Sequence, residues 1–172
     1  MSSRTNFFAE IVQCLVTEVG YADASDLGCG GVWIDPNEDG FHYIWHLPWP
    51  EDIMEDLVST ENPHGRITNF DLEFTALVLQ EATFPFVSAN PVWQVPFTRS
   101  VNTPTVAWTL RGASILNPVV SDLLRLRFLV NHHFNTTPSV FYHPGTKNTM
   151  ADDVSQKFHL APDIFLSLFS TT

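Results

Sequence analysis

Residues 21–33 read YADASDLGCGGVW: two acids, Asp23 and Asp26, stand just before three glycines and a cysteine, and the run closes on Val-Trp. One reading is a tight hairpin with polar ends, since Asp and Gly supply turn conformations at low steric cost. The other is a carboxylate held at a strand end to bind a hard metal ion, which takes oxygen ligands. The residues alone leave both open. Outward from this stretch the pattern stays β, with GYADAS, CGGVWID and FHYIWHLP as three strand-like runs. Asp26-Leu27-Gly28 and Asp35-Pro36-Asn37-Glu38-Asp39-Gly40 divide them, so the second and third runs predict an antiparallel hairpin.

Helical spacing follows. Phe70, Phe74, Leu77 and Val78 recur at three and four residues behind a Thr68–Asp71 capping box, which predicts a helix over about 69–82. NPVWQVPFTRSV predicts a strand near 92–101. Thr103-Pro104 reads as N-cap and first-turn proline of a short helix over about 103–110. Asn117-Pro118 opens VVSDLLRLRFLVNHHF in the same way, PSVFYHPG is a strand ending in a turn, and Thr149–Asp152 matches a capping box for a helix to about Lys157. The apolar segment APDIFLSLF is expected to dock on the core. The order β-β-β-α-β-α-α-β-α implies an α/β fold with a mixed sheet flanked by helices.

At 172 residues, 44% hydrophobic, with five Trp and fourteen Phe, the chain can bury one full core and is short for two. No apolar run approaches the roughly 20 residues of a membrane span, so membrane partnership is not expected. Cys14 and Cys29 fit neither a metal spacing nor a disulfide framework, which points to an intracellular, reducing setting, cytoplasm or nucleus. Net charge is −11, from 8 basic against 19 acidic residues, where a nucleic-acid binder usually carries a basic footprint. PEDIMEDLVSTE (50–61) alone holds five carboxylates and is expected to be an exposed helix. Arg125 and Arg127, with Arg111 upstream, form the best basic cluster.

Four places can bring chemistry together. Asp23 ends the first strand. Glu73 lies beside the apolar stripe of its helix, where an acid needs a partner or a task, although a first-turn acid is also favoured by the helix dipole. Asp152 and Asp153 open a late helix after the HPGTKN turn that holds His143, and Asp152 also fits a capping role.

In order along the chain, these pieces resemble the RNase H domain of retroelement polyproteins, within the type 1 RNase H superfamily. YADAS with GCGGVW resembles its first strand and hairpin, and TNFDLEFTALVL its Asn-x-x-Glu helix. SVNTPTVAW resembles its strand-end Ser-Asp-Asn segment. FYHPGTKNTMADDVSQKF resembles its closing His-x-Gly…Asn-x-x-Ala-Asp-x-x-Ser-Arg motif. The likeness implies an RNase H-like fold over residues 19–160, with a five-stranded sheet made of a three-stranded antiparallel meander plus parallel strands. Residues 1–18 are then an N-terminal extension and 161–172 a C-terminal tail docked on the core.

The resemblance further implies hydrolysis of the RNA strand of an RNA–DNA hybrid with two Mg²⁺ (or Mn²⁺) ions. Asp23, Glu73 and Asp152 are the implied metal ligands, Asp153 is a second choice for the last, and His143 is the implied mobile histidine that assists water activation or product release. Asp26 has no counterpart. Two departures stand out: Ser-Asp-Asn reads Ser100-Val101-Asn102, and the final Ser-Arg reads Ser155-Gln156. Valine cannot coordinate Mg²⁺, so an impaired nuclease is expected. The alternative is an inactive RNase H-like scaffold or partner-binding module, or a decaying relic. Met1 and the absence of polymerase motifs suggest a stand-alone frame or a piece of a larger element. In the latter case a reverse-transcriptase domain of the same element is the expected partner. Oligomeric state is not legible.

Overall fold

The computed structural model describes residues 18–34, 41–88, 95–112 and 117–169. The expected turn at 35–40, residues 92–94 of the fourth strand, Cys14 and the stretch 1–17 lie outside them. The strands are β1 (Val19–Ala24), β2 (Gly28–Ile34), β3 (Phe41–Pro48), β4 (Phe97–Ser100) and β5 (Ser139–Tyr142). The helices are α1 (Glu51–Glu55), α2 (Asn69–Val87), α3 (Thr103–Arg111), α4 (Pro118–His133), α5 (Thr149–Gln156) and α6 (Pro162–Ser167). Among them no helix is long and apolar enough to cross a membrane.

One five-stranded sheet has the order β3-β2-β1-β4-β5. β1–β2 and β2–β3 are antiparallel, while β1–β4 and β4–β5 are parallel. This is the mixed sheet expected from three hairpin-linked strands followed by two reached through helical crossovers. Each face has its own cover. Ala22, Ala24 and Cys29 pack with Leu72 and Ala76 of α2 on one side, and α3 and α4 extend that layer over Phe74, Leu77 and Val140. On the other side Val32, with Tyr21 and Ile34, meets Val154 of α5 and Phe165 and Phe169 at α6.

The glycines of the opening stretch make these helices fit. A Cβ at Gly30 would run into the Val154 side chain, and one at Gly31 into Gln80 of α2. Gln80 is fully buried and bridges two strands, accepting from Trp45 Nε1 at 2.5 Å and donating to the Val32 carbonyl at 3.0 Å. Asp26 is exposed, and the turn is held by Ser25, whose Oγ accepts from the amides of Leu27 and Gly28. Asp23 is free of the turn, so the two acids of the opening stretch have different lives.

Several sequence expectations need correction. The first long helix runs on to Val87, since Pro85 falls in its last turn, where a missing N–H breaks little of the ladder. The helix after β4 is capped by Asn102, not Thr103: Asn102 Oδ1 accepts from the Thr105 amide at 3.0 Å. The Thr149–Asp152 capping box does not form. Asn148 is the N-cap, makes no side-chain cap bond, and instead turns its amide toward the Ala22 carbonyl. The basic cluster is not a free patch, because Arg125 pairs with Asp122 and Arg127 forks onto buried Glu81 at 2.8–3.0 Å. The helix expected within 50–61 is the short α1, with an isolated bridge between Leu57 and Ile67 after it.

Candidate metal centre

The strand register decides what surrounds Asp23. β1 and β4 pair Val19 with Phe97 and Tyr21 with Arg99, a constant offset of 78, so two residues further Val101 falls level with Asp23. β4 and β5 pair Phe97 with Ser139 and Ser100 with Tyr142, an offset of 42, which brings His143 level with Val101. The His143 amide continues the ladder by donating to the Ser100 carbonyl at 2.9 Å. Asp23, Val101 and His143 therefore lie side by side at the carboxyl ends of three parallel strands. Val101 itself sits in a bend just past β4, where a Cβ added at Gly145 of the next turn would lie 3.9 Å from its side chain.

Two helices bring the other acids. The Thr68–Asp71 capping box forms as expected, and Asp71 is further tied to Asn117 at 2.7 Å, so α2 starts at a fixed place. One turn on, Glu73 is only 6% exposed, where a solvated first-turn acid would be open to water. On the opposite face, α5 seated on Gly30 carries Asp152 at its first turn. Asp23, 7% exposed, accepts from the Ser155 hydroxyl at 3.0 Å. Asp152 is exposed and accepts from Gln156 at 2.5 Å, so the departure at Gln156 is an i,i+4 tie to this acid. Asp153 faces away into an ion pair with Lys157 at 2.9 Å.

The acids sense one another. Burial pushes Asp23 up to about 6, with the Asp152 charge adding to it, while the Ser155 and Asn148 side chains pull it back. Burial pushes Glu73 up to about 8, helped by the charges of Asp23 and Asp152. No cationic side chain among the described residues is paired with Asp23, Glu73 or Asp152. Asn148 is 3% exposed beside Asp23, and its Oδ1 has no hydrogen-bond partner. Among the described residues no three His, Cys, Asp or Glu side chains form a ready-made cage. Two buried carboxylates, a third at the rim and an unpartnered amide oxygen make an open set of hard donors. Such a set fits a divalent cation that keeps several waters, as Mg²⁺ does.

His143 is held at both ring nitrogens, with Arg99 Nη1 3.5 Å from Nδ1 and the Lys147 carbonyl 3.3 Å from Nε2. Tyr21 meets the ring edge-on with centroids 5.2 Å apart. Sequence reading missed Arg99 and Asn148. Alternation along β4, which sets Arg99 on the face of Val101, was the signal available for the first.

Metal-free acids of this kind tie stability to pH. Glu73 has its folded value raised above the ordinary 4.5, so its contribution is fully present below about 4.5 and is lost as pH rises through about 8. The displacement bounds this at roughly 5 kcal/mol. In chelator, Glu73→Gln is expected to raise Tm by several degrees at pH 9 and to leave pH 4 nearly unchanged. Mg²⁺ is expected to lift the Tm of the native protein at pH 9 more than that of the variant. Thermal melts showing the same displacement at both pH values would remove Glu73 from this coupling.

No protein-family model and no curated protein matches the chain. Solved structures do match. RNase H1 from the halophilic archaeon Halobacterium salinarum is 15% identical at a TM-score of 0.57, over 80% of this chain and 92% of that one. LC11-RNase H1, solved in complex with an RNA/DNA hybrid, is 15% identical at 0.61 over the same shares. The N-terminal RNase H domain of a Mycobacterium tuberculosis protein is 15% identical at 0.60, over 90% of this chain and 99% of that one. The chain has the RNase H-like fold.

Proposed function

We propose that this chain is an RNase H-like nuclease domain of retroelement descent, spanning residues 19–160, that hydrolyses the RNA strand of RNA–DNA hybrids and is impaired at Val101. The observation that carries this reading is the pair of buried, cation-free carboxylates, Asp23 and Glu73, gathered with Asp152 where β1 ends and α5 begins. A structural enzyme core has little reason to bury two acids that repel each other, whereas a divalent-cation site needs them. The hybrid bound to LC11-RNase H1 makes the same substrate the first to try.

Two Mg²⁺ or Mn²⁺ ions held by Asp23, Glu73 and Asp152 would supply water activation and offset charge on the leaving oxygen. The chain's own part begins with Asp23, ionised and aimed by the Ser155 hydroxyl. Glu73, which holds its proton near neutral pH when metal-free, releases it as the site fills. Asp152, steadied by Gln156, closes the rim. His143 stands in the same row, held by Arg99 and the Lys147 carbonyl, at the mouth where a proton would be given or taken. Val101 places methyl groups between Asp23 and His143, where a fourth carboxylate would complete the set.

A second reading, an inactive RNase H-like module used as a scaffold or partner-binding domain, draws its support from Val101 alone. Burial of Phe165 and Phe169 in the α5-side cluster supports a tail docked on the core in either case. With a net charge of −11, grip on a duplex is expected to come from a neighbouring reverse-transcriptase domain, inside the cell. Cleavage of an end-labelled RNA–DNA hybrid by the purified protein, in Mg²⁺ and in Mn²⁺, separates the readings. Weak, cation-dependent cutting that Asp23→Asn abolishes supports the nuclease. Complete silence in both ions, with no cation-dependent rise in Tm, supports the module.

A further inference from the structure

Among the described residues, helices cover the sheet face that carries Asp23 on one half only. α5 packs over β1, β2 and β3, and α6 adds Phe165 and Phe169 to the same half. Beside β4 and β5 no described helix covers this face. Strand alternation places Tyr21, Phe97, Arg99 and Phe141 there, since their neighbours Thr98, Ser100 and Val140 are buried on the other side. Phe97 and Phe141 stack nearly parallel, 5.2 Å apart at 4°, yet Phe141 remains 48% exposed. Arg99 lies over the Tyr21 ring at 5.3 Å and reaches His143 at the end of the metal centre.

Charge is available at the same place. Among the described residues Arg66, Arg125, Arg127 and Lys157 are each tied to a carboxylate. Arg99, Arg111 and Lys147 have no carboxylate partner there, and of these Arg99 lies on this face, against an aromatic ring and a histidine. In so acidic a chain, a half-buried guanidinium left with free donors is a strong local attraction for a phosphate oxygen. The exposed Phe141 ring beside it, backed by Phe97, offers stacking to a base, which needs no particular sequence. From Phe97 to Val101 the strip runs about 13 Å along the strand.

Building on the nuclease reading above, we propose that Tyr21, Phe97, Arg99 and Phe141 form a docking strip for an unpaired nucleic-acid strand extending from the metal centre. Arg99 holds a phosphate and Phe141 stacks on a base. The strip gives the chain a contact with its substrate that does not depend on a broad basic surface.

The test measures binding by fluorescence anisotropy in Mg²⁺, using hybrids of DNA with 2′-O-methyl RNA so that the strand stays intact. One hybrid is blunt and one carries a short single-stranded RNA extension; the same single strand alone is a third probe. The extension is expected to tighten binding by about tenfold, and Phe141→Ala to remove most of that gain while leaving the blunt hybrid unaffected. Phe141→Trp is expected to keep it, and Arg99→Gln to lower the slope of log affinity against log salt by about 0.7. Unchanged melting temperatures identify the variants as folded. If the blunt hybrid binds and neither Phe141→Ala nor Arg99→Gln alters the extension's effect, the strip is wrong and the nuclease reading stands. If the single strand binds in a Phe141-dependent way and the blunt hybrid does not, the strip stands and the nuclease reading falls. If no probe binds, the strip falls.

Discussion

Val101→Asp is expected to raise Mg²⁺-dependent cleavage of an RNA–DNA hybrid by about a hundredfold or more, the scale on which one well-placed electrostatic group at a reacting centre counts. The register explains why this position has such leverage. Val101 falls level with Asp23 on one side and His143 on the other, so an aspartate there enters the row of groups already present. Even a Cβ added at Gly145 would lie 3.9 Å from the valine methyl, so this side is not crowded, and the carboxylate has nearly the volume of the isopropyl group it replaces. The fold is therefore expected to tolerate the change when metal is bound. Without metal the added charge meets Asp23 and Glu73, and Tm in chelator is expected to fall at pH 8. Val101→Asn serves as the control, because it supplies an oxygen but no charge. If Val101→Asp neither cuts faster nor gains Tm from Mg²⁺, the β4 end is not part of the metal centre.

The second large effect concerns stability alone. Arg127 donates a two-pronged set of bonds to Glu81 at 2.8–3.0 Å, and Asn131 adds another at 2.9 Å while Thr136 donates to Asn131. Glu81 is 2% exposed, so removing its partner leaves a charge with no water to turn to. Arg127→Met is expected to cost about 3–5 kcal/mol and to lower Tm by roughly 10 °C. Adding Glu81→Met is expected to recover most of the loss, since a well-packed apolar pair often replaces a buried ion pair at little cost. Thermal melts of the two single variants and the double variant check this. Purely additive losses would mean that the side chains matter for packing and not as a pair. Hybrid cleavage by the double variant is expected to match that of the native protein, because this network lies between α2 and α4, away from Asp23.

Much of the fold could be read from residues whose local chemistry agrees with their tertiary role. Alternation and Asp/Gly turns gave the meander, and the Thr68–Asp71 and Asn117-Pro118 caps located the starts of α2 and α4, because those signals act within a few residues. What was not legible depends on partners far away in the chain. Asn102 and Asn148 took the N-cap places that Thr103 and Thr149 were expected to hold, and at Asn148 a long-range bond to Ala22 displaced the local cap. Arg127 reads as surface charge in a helix and becomes half-buried only because Glu81 lies 46 residues earlier on a facing helix. At the candidate metal centre, motif order named Asp23, Glu73, Asp152 and His143, but single-residue patterns left Glu73 between a solvated acid and a buried one. Its burial depends on how α2 lies on β1, which no short window contains.

The strand order has a bearing on how the chain comes into being. β1, β2 and β3 are neighbours in sequence and can pair as soon as residue 48 is made, but β1 then presents an unpaired edge until β4, beginning at Phe97, reaches it. Closing that parallel pair across 78 positions is the slow, non-local step of folding. Asp152 arrives later still, with α5. A nascent or truncated chain ending before residue 149 therefore holds Asp23 and Glu73 without the helix that completes their surroundings, and metal can reward only the finished molecule. On the proposed reading, cation binding would act as a check on completion, favouring whole chains over fragments whose open β1 edge would otherwise recruit one another.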